Sequence, residues 1–173
     1  GENPAVSHMS FVSIAHTMQH LKDAEARGAK VVYLNPREIE SAKTAGQVTK
    51  IKPDTDVYLL AAMLNVIDTS VGFDEAVLAH GANVAQLREF VAAYPPEKVS
   101  SITGITADEI RALAMNFAHA PSACVHMSTG VNMGRQGTVA YWLLHMLSFV
   151  TGNLGRAGGN FYSAGFYARA PAT

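Results

Sequence analysis

Asparagine, aspartate and arginine recur beside glycine and proline at the ends of short apolar runs. The stretches are Gly1-Glu2-Asn3-Pro4, Asn35-Pro36-Arg37-Glu38, Pro53-Asp54-Thr55-Asp56, and residues 128–137 with Gly130, Asn132 and Arg135. Amides and carboxylates can hydrogen-bond sugar hydroxyls and base edges. Guanidinium groups neutralise phosphate, and glycine lets backbone N–H groups approach it. That combination points to nucleotide binding, with Arg37, Arg135 and Arg156 as the cations available for a diphosphate. One glycine-rich loop alone reads as an ordinary turn. Several of them at strand ends carry more weight, because open α/β sheets bind ligands beyond the carboxyl ends of their strands.

Other chemistries are weakly supplied. The chain of 173 residues has one cysteine, so it builds no disulfide, no cysteine zinc site and no iron–sulfur cluster by itself. Cys124 lies in an apolar run and is expected to be a buried, inert thiol. His16 and His20 are spaced for one helix face, but no His-Glu-x-x-His context joins them. Neither a Gly-x-Ser-x-Gly elbow nor a Walker phosphate loop occurs, and glycines 152–159 do not have the dinucleotide fingerprint spacing. A net charge of −1 argues against a nucleic-acid or membrane-surface binder. With 49% hydrophobic and 16% charged residues the chain can bury a core, yet no run reaches the ~18–20 apolar residues of a membrane span.

The elements that must position these residues alternate in type. Residues 8–27 predict an amphipathic helix with Phe11, Ile14, Met18 and Leu21 on its apolar face, stopped by Gly28. Residues 31–34 and 47–52 read as strands, and 55–67 as a helix. Residues 83–94 form another helix that Pro95-Pro96 is expected to end. Thr106-Ala107-Asp108-Glu109 is a capping box. Residues 123–128 predict a strand, and 138–151 a helix so apolar that Trp142 and its neighbours should all be core. Helix, strand, strand and helix in this order predict an α/β fold.

The ordered set Gly1-Glu2-Asn3-Pro4-Ala5-Val6-Ser7, Gly28-Ala29-Lys30-Val31-Val32-Tyr33-Leu34-Asn35-Pro36-Arg37 and Ile51-Lys52-Pro53-Asp54-Thr55-Asp56 resembles the molybdopterin oxidoreductases of the dimethyl sulfoxide reductase family. Residues 99–110 and the run Thr-Gly-Asn-Leu-Gly-Arg-Ala-Gly-Gly at 151–159 extend the likeness in register over nearly the whole chain. The resemblance implies a Rossmann-like domain, a mostly parallel sheet flanked by helices, holding the guanosine arm of a bis-molybdopterin guanine dinucleotide cofactor. Residues 1–173 would be that single domain, with 168–173 a ragged tail, and the domain's first strand would lie outside this sequence. By position, Asn3 would lie near the diphosphate, Asn35 with Arg37 at the ribose, and Asp56 on guanine. Gly130 and Asn132 would pass close to the pterin or diphosphate.

Molybdenum or tungsten, its protein ligand and any iron–sulfur cluster would belong to other parts of a larger enzyme. This chain alone would then be redox-inactive. Its partners would be the remaining domains and an electron-transfer subunit. An uncovered strand edge and helix face would favour self-association of the isolated piece. Two other readings of the residues stay open. One is a nucleotide domain of the NAD type, or like the central domain of thiamine diphosphate enzymes. The other is an interaction module without a ligand.

Overall fold

The computed structural model describes residues 2–6 and 14–162. Residues 8–13 of the predicted helix 8–27, with Phe11, and the tail 168–173 lie outside them, and residues 14–16 form a turn ahead of the observed helix. Among the described residues, eight α-helices and two strands follow in the order α1 (Thr17–Ala26), β1 (Val32–Asn35), β2 (Gln47–Lys50), α2 (Asp56–Ser70), α3 (Glu75–Leu78), α4 (Val84–Ala92), α5 (Pro96–Thr103), α6 (Ala107–His119), α7 (Thr129–Asn132) and α8 (Gly137–Val150). The class is α/β, as the alternation predicts. β1 and β2 pair in parallel, Val32 opposite Gln47 and Asn35 opposite Lys50. A short 3₁₀ helix, Glu40–Lys43, lies in the connection between them. Gly28, just beyond α1, has φ 94°, the left-handed turn that ends a helix and that glycine takes without a Cβ penalty.

The core is built around α2. Every residue from Leu59 to Ile67 is buried, because α4, α5, α6 and α8 pack around that helix. A helix apolar on all sides has to be enclosed in this way. Its one polar member there, Asn65, donates from Nδ2 to the Val91 carbonyl at 3.1 Å. α8 is less enclosed than its composition predicts. Leu143, Leu144 and Leu147 face the core, but Tyr141 is 48% and Trp142 42% exposed. Only one face of α8 packs inward, and Trp142 meets the edge of the Phe90 ring on the outside.

Three further expectations need correction. Pro95-Pro96 does not merely end a helix. Pro95 is the N-cap and Pro96 the first residue of α5, where proline's missing N–H costs nothing. Residues 123–128 carry no regular secondary structure and pair with no strand among the described residues. Their backbone is held by side chains from the glycine-rich turn after α8. Asn153 Oδ1 accepts from the Ala123 N–H at 2.9 Å. The Asn160 amide accepts from the Val125 N–H at 2.9 Å and donates to the Val125 carbonyl at 2.8 Å. Cys124 is exposed, not buried. Val125 and Met127 pack on the core while Cys124 and His126 alternate outward.

The capping box of α6 is complete. Thr106 Oγ1 accepts from the Glu109 N–H at 3.2 Å, and Glu109 accepts from the Thr106 N–H at 2.9 Å. The Thr106 hydroxyl and N–H hold the Glu109 carboxyl below its usual range. A folded-state value below the unfolded one means stability that is present above the unfolded value and is lost as pH falls through the folded one. Thr106→Ala is expected to cost about 1 kcal/mol at neutral pH. It should also flatten the acid side of the stability curve, as read by urea unfolding between pH 3 and 7. A flat wild-type curve there would remove the Glu109 contribution.

Candidate functional site

The carboxyl ends of β1 and β2, residues 2–6 and the start of α7 surround a cleft of about 530 Å³. Glu2, Asn3, Asn35, Arg37, Asp56 and Gly130 are among the residues that line it. Five of the six residues singled out from the sequence therefore meet at one place. Asn132 does not line the cleft and is exposed at the end of α7. Gly130 lies in that short helix and not in an open loop.

The two asparagines are committed to the protein itself. Asn3 Oδ1 accepts from the Ser41 hydroxyl at 2.7 Å and from the Ser41 N–H at 3.2 Å, and its Nδ2 donates to Glu40. Ala5 N–H adds a bond to the Ser41 hydroxyl at 2.9 Å. Asn3 thus clamps the first loop to the 3₁₀ helix. Glu40 lies below the usual carboxylate range because its own backbone N–H, then the Asn3 amide and Arg37, stabilise its charge. Asn35, at the end of β1, is buried. Its Oδ1 accepts from the Arg37 N–H at 3.3 Å across Pro36, and its Nδ2 donates to the Glu2 carbonyl at 3.4 Å. It shapes the turn that aims Arg37, whose guanidinium stays exposed at the cleft rim, 3.5 Å from Glu40.

Asp54 also lines the cleft. It has φ 63°, a left-handed conformation that aspartate tolerates better than most residues. Its Oδ1 accepts from the Arg135 N–H at 2.9 Å, and its Oδ2 lies 3.5 Å from Arg135 Nε. Asp54 ties the α7–α8 turn over the start of α2. Arg156 donates to the Pro121 carbonyl at 2.9 Å. Neither Arg135 nor Arg156 is among the residues lining the cleft, whereas Arg37 is, although it too donates to a carbonyl, that of Glu38, at 2.8 Å. An aspartate just before a helix is a usual acceptor for backbone N–H groups, and that was the available signal.

Asp56 differs from its neighbours. It is the first residue of α2, half-buried in the cleft wall, and its carboxylate has no hydrogen-bond or ion-pair partner among the described residues. Thr55 leaves the first turn of α2 without a side-chain cap and donates instead to the Lys52 carbonyl at 2.6 Å. Glu2 is the second unusual acid. Its Oε2 lies 3.2 Å from His126 Nε2, while its Oε1 is buried with no partner among the described residues. A buried acceptor left unmatched costs about 1–3 kcal/mol, and more when charged. Among the described residues, no group of three or more His, Cys, Asp or Glu side chains is placed to hold a metal ion.

Two parallel strands whose carboxyl ends open on a cleft of ligand size are an arrangement of α/β domains. The chain belongs to the molybdopterin oxidoreductase family, whose profile matches residues 1–172. It is 36% identical over 157 residues to formate dehydrogenase H of Escherichia coli, covering 90% of this chain and 21% of that protein. It is 26% identical over 181 residues to the dimethyl sulfoxide reductase DmsA of the same organism, covering 92% and 22%. The solved structure of acetylene hydratase from Pelobacter acetylenicus superposes with a TM-score of 0.76 at 29% identity, covering 82% of this chain and 20% of that one. The chain thus spans about a fifth of the length of these relatives.

Proposed function

We propose that this chain is one domain of a larger molybdenum or tungsten enzyme, and that its cleft holds the guanosine arm of a bis-molybdopterin guanine dinucleotide cofactor. Formate dehydrogenase, dimethyl sulfoxide reductase and acetylene hydratase are named for three different substrates and three different reactions. A domain common to all three acts on what they share, which is the cofactor, and not on the substrate. The bound cofactor supplies the metal chemistry, and this domain supplies binding and orientation.

The residues present fit the nucleoside part of that group. A cleft of about 530 Å³ is in the range of small-ligand sites. Arg37 stands at the rim for a phosphate. The observation that carries the reading is the Asp56 carboxylate, unpartnered in the cleft wall while Asn3, Asn35 and Asp54 are satisfied internally. Guanine presents N1–H and its exocyclic amine side by side, two donors that suit one carboxylate. Adenine offers an acceptor at N1, which a carboxylate repels.

Asp56→Asn in the full-length protein tests this. A charged hydrogen bond contributes about 1.5–3 kcal/mol, so guanosine nucleotide and metal content per folded protein should fall about tenfold or more. The apoprotein should also lose its preference for GDP over ADP. An acid in a helix's first turn contributes about 0.3–1 kcal/mol to stability in any case. A lowered melting temperature with unchanged cofactor content would leave Asp56 only that role.

A further inference from the structure

We propose that residues 160–162 form a strap across α8 that stays closed while His145 is neutral and lifts when His145 takes up a proton. Two contacts close it. The Ser148 hydroxyl donates to Asn160 Oδ1 at 3.0 Å. The Tyr162 ring stacks on the His145 imidazole, 5.0 Å between centroids and 24° between planes. His145 and Ser148 are three residues apart in α8, so both contacts fall on one side of that helix. Tyr141, one turn before His145, meets it edge-on at 4.4 Å, so the imidazole lies between two phenol rings. The strap would respond to pH whatever the cleft holds.

His145 is enclosed without being bonded. Its Nδ1 and Nε2 are both buried and have no hydrogen-bond partner among the described residues. A neutral imidazole there leaves one N–H unmatched. An imidazolium would leave two, and a charge with them. Burial holds the imidazole below the usual histidine range, and no nearby charge adds to or offsets that. Tyr141 and Tyr162 face the ring with aromatic surface and bring no counter-charge. Of the elements around α8, α7 has no charged residue, and α2 and α3 carry Asp68 and Glu75, both paired with Arg88. Asp56 of α2 lies in the cleft wall, and Arg156 of the turn beyond α8 is on the Pro121 carbonyl. The strap is the cover that yields, because Tyr162 is 63% and Phe161 75% exposed while Tyr141 is fixed in the helix. Lifting Tyr162 lets water reach the ring nitrogens. A group whose folded value is depressed contributes stability that is whole above the unfolded value and is lost as pH falls below it. The strap is therefore closed at pH 7.5 and loosens below about 6.5, the value of a free imidazole. At pH 5.5 a freed imidazole is about ten parts protonated to one neutral, so the open form gains up to about tenfold. The loosening reaches residues 123–128, because Asn160 also holds the N–H and the carbonyl of Val125.

Hydrogen exchange of the full-length protein tests this, read by mass spectrometry over residues 153–162 and corrected for the intrinsic pH dependence of exchange. In that turn the Gly155 N–H donates to the Asn160 carbonyl at 2.6 Å and the Asn160 N–H to the Asn153 carbonyl at 2.8 Å, so both report its opening. Protection in the wild type is expected to fall about fivefold to tenfold between pH 7.5 and 5.5. His145→Phe keeps an aromatic ring and takes up no proton, so its protection should stay level over that range. Tyr162→Ala removes the cover. It should be poorly protected already at pH 7.5 and lose little more at pH 5.5. His126 works in the opposite sense, since its protonated form gains the Glu2 carboxylate 3.2 Å away and tightens as pH falls. Level protection in the wild type, or an equal fall in wild type and folded His145→Phe, overturns the proposal. If His145→Phe does not fold, a fall in Tyr162→Ala as large as that of the wild type overturns it, and a level response in Tyr162→Ala beside a falling wild type upholds it.

Discussion

Asn160→Ala is expected to destabilise the chain by about 3 kcal/mol and to weaken nucleotide binding at a distance. Asn160 stands where a neighbouring strand would. It accepts from the Val125 N–H at 2.9 Å, donates to the Val125 carbonyl at 2.8 Å, and accepts from the buried Ser148 hydroxyl at 3.0 Å. Truncation removes three bonds at once and leaves a backbone N–H, a carbonyl and a buried hydroxyl to find other partners. Each bond contributes about 1 kcal/mol net, and each group left unmatched in the interior adds to that. Asn153 still holds Ala123 through a 2.9 Å bond, so the segment should loosen without detaching. That segment leads into Ser128 and Gly130 of the cleft, so GDP affinity should fall with stability. Asn160→Asp keeps the acceptor and loses the donor, and is expected to fall between wild type and Asn160→Ala. Urea unfolding of the three proteins decides it. A loss below about 0.5 kcal/mol for Asn160→Ala would mean that the segment is held elsewhere.

This clamp also marks the limit of what the sequence discloses. The run 123–128 reads as a strand, but it pairs with no strand among the described residues. Its partners are not legible, because they are two amide side chains about thirty residues further on, and side-chain pairing leaves no periodic trace. β1 is legible as a short apolar run between glycine and proline, and α2 as a long apolar run that only Asn65 interrupts between Leu59 and Ile67, whereas β2, Gln-Val-Thr-Lys, is the fainter pattern. α5 is hidden because Pro95-Pro96 looks like a terminator, and only the backbone shows that Pro96 starts a helix. At the cleft, residue type and strand-end position pick out the polar stretches, and the family resemblance picks out Asn3, Asn35, Arg37, Asp56 and Gly130 within them. They do not reveal that the two amides are spent inside the protein. Nor do they reveal that Asp54, two residues from Asp56 and of the same type, is spoken for by the Arg135 backbone. Of two aspartates two residues apart, one is bonded within the protein and the other is not, and only the hydrogen-bond partners separate them.

Gly137→Ala should destabilise the fold by about 3 kcal/mol and displace the wall of the cleft. A Cβ on Gly137 would overlap the Asn132 carbonyl oxygen and come 2.9 Å from its carbon and 3.2 Å from its Cα. All three atoms are backbone, so no side chain can swing aside. Either α8 moves outward or α7 does. α8 is held by Leu143, Leu144 and Leu147, buried against α2, which makes α7 the part that yields. α7 carries Gly130, and the turn beyond it is tied to Asp54 by the Arg135 N–H. Its movement should therefore reach the cleft at two points. Alanine is the better helix former, a gain of up to about 1 kcal/mol in a helix interior, but Gly137 is the first residue of α8, where that gain is smallest. Gly155→Ala is the control. Gly155 has φ 79°, and an added methyl there would meet nothing within 4 Å, so its substitution brings only backbone strain of about 1 kcal/mol. Gly137→Ala should lose both stability and GDP affinity, whereas Gly155→Ala should lose a little stability and no affinity. If Gly137→Ala unfolds at the same urea concentration as wild type, the close approach of α7 to α8 is not what sets the shape of the cleft.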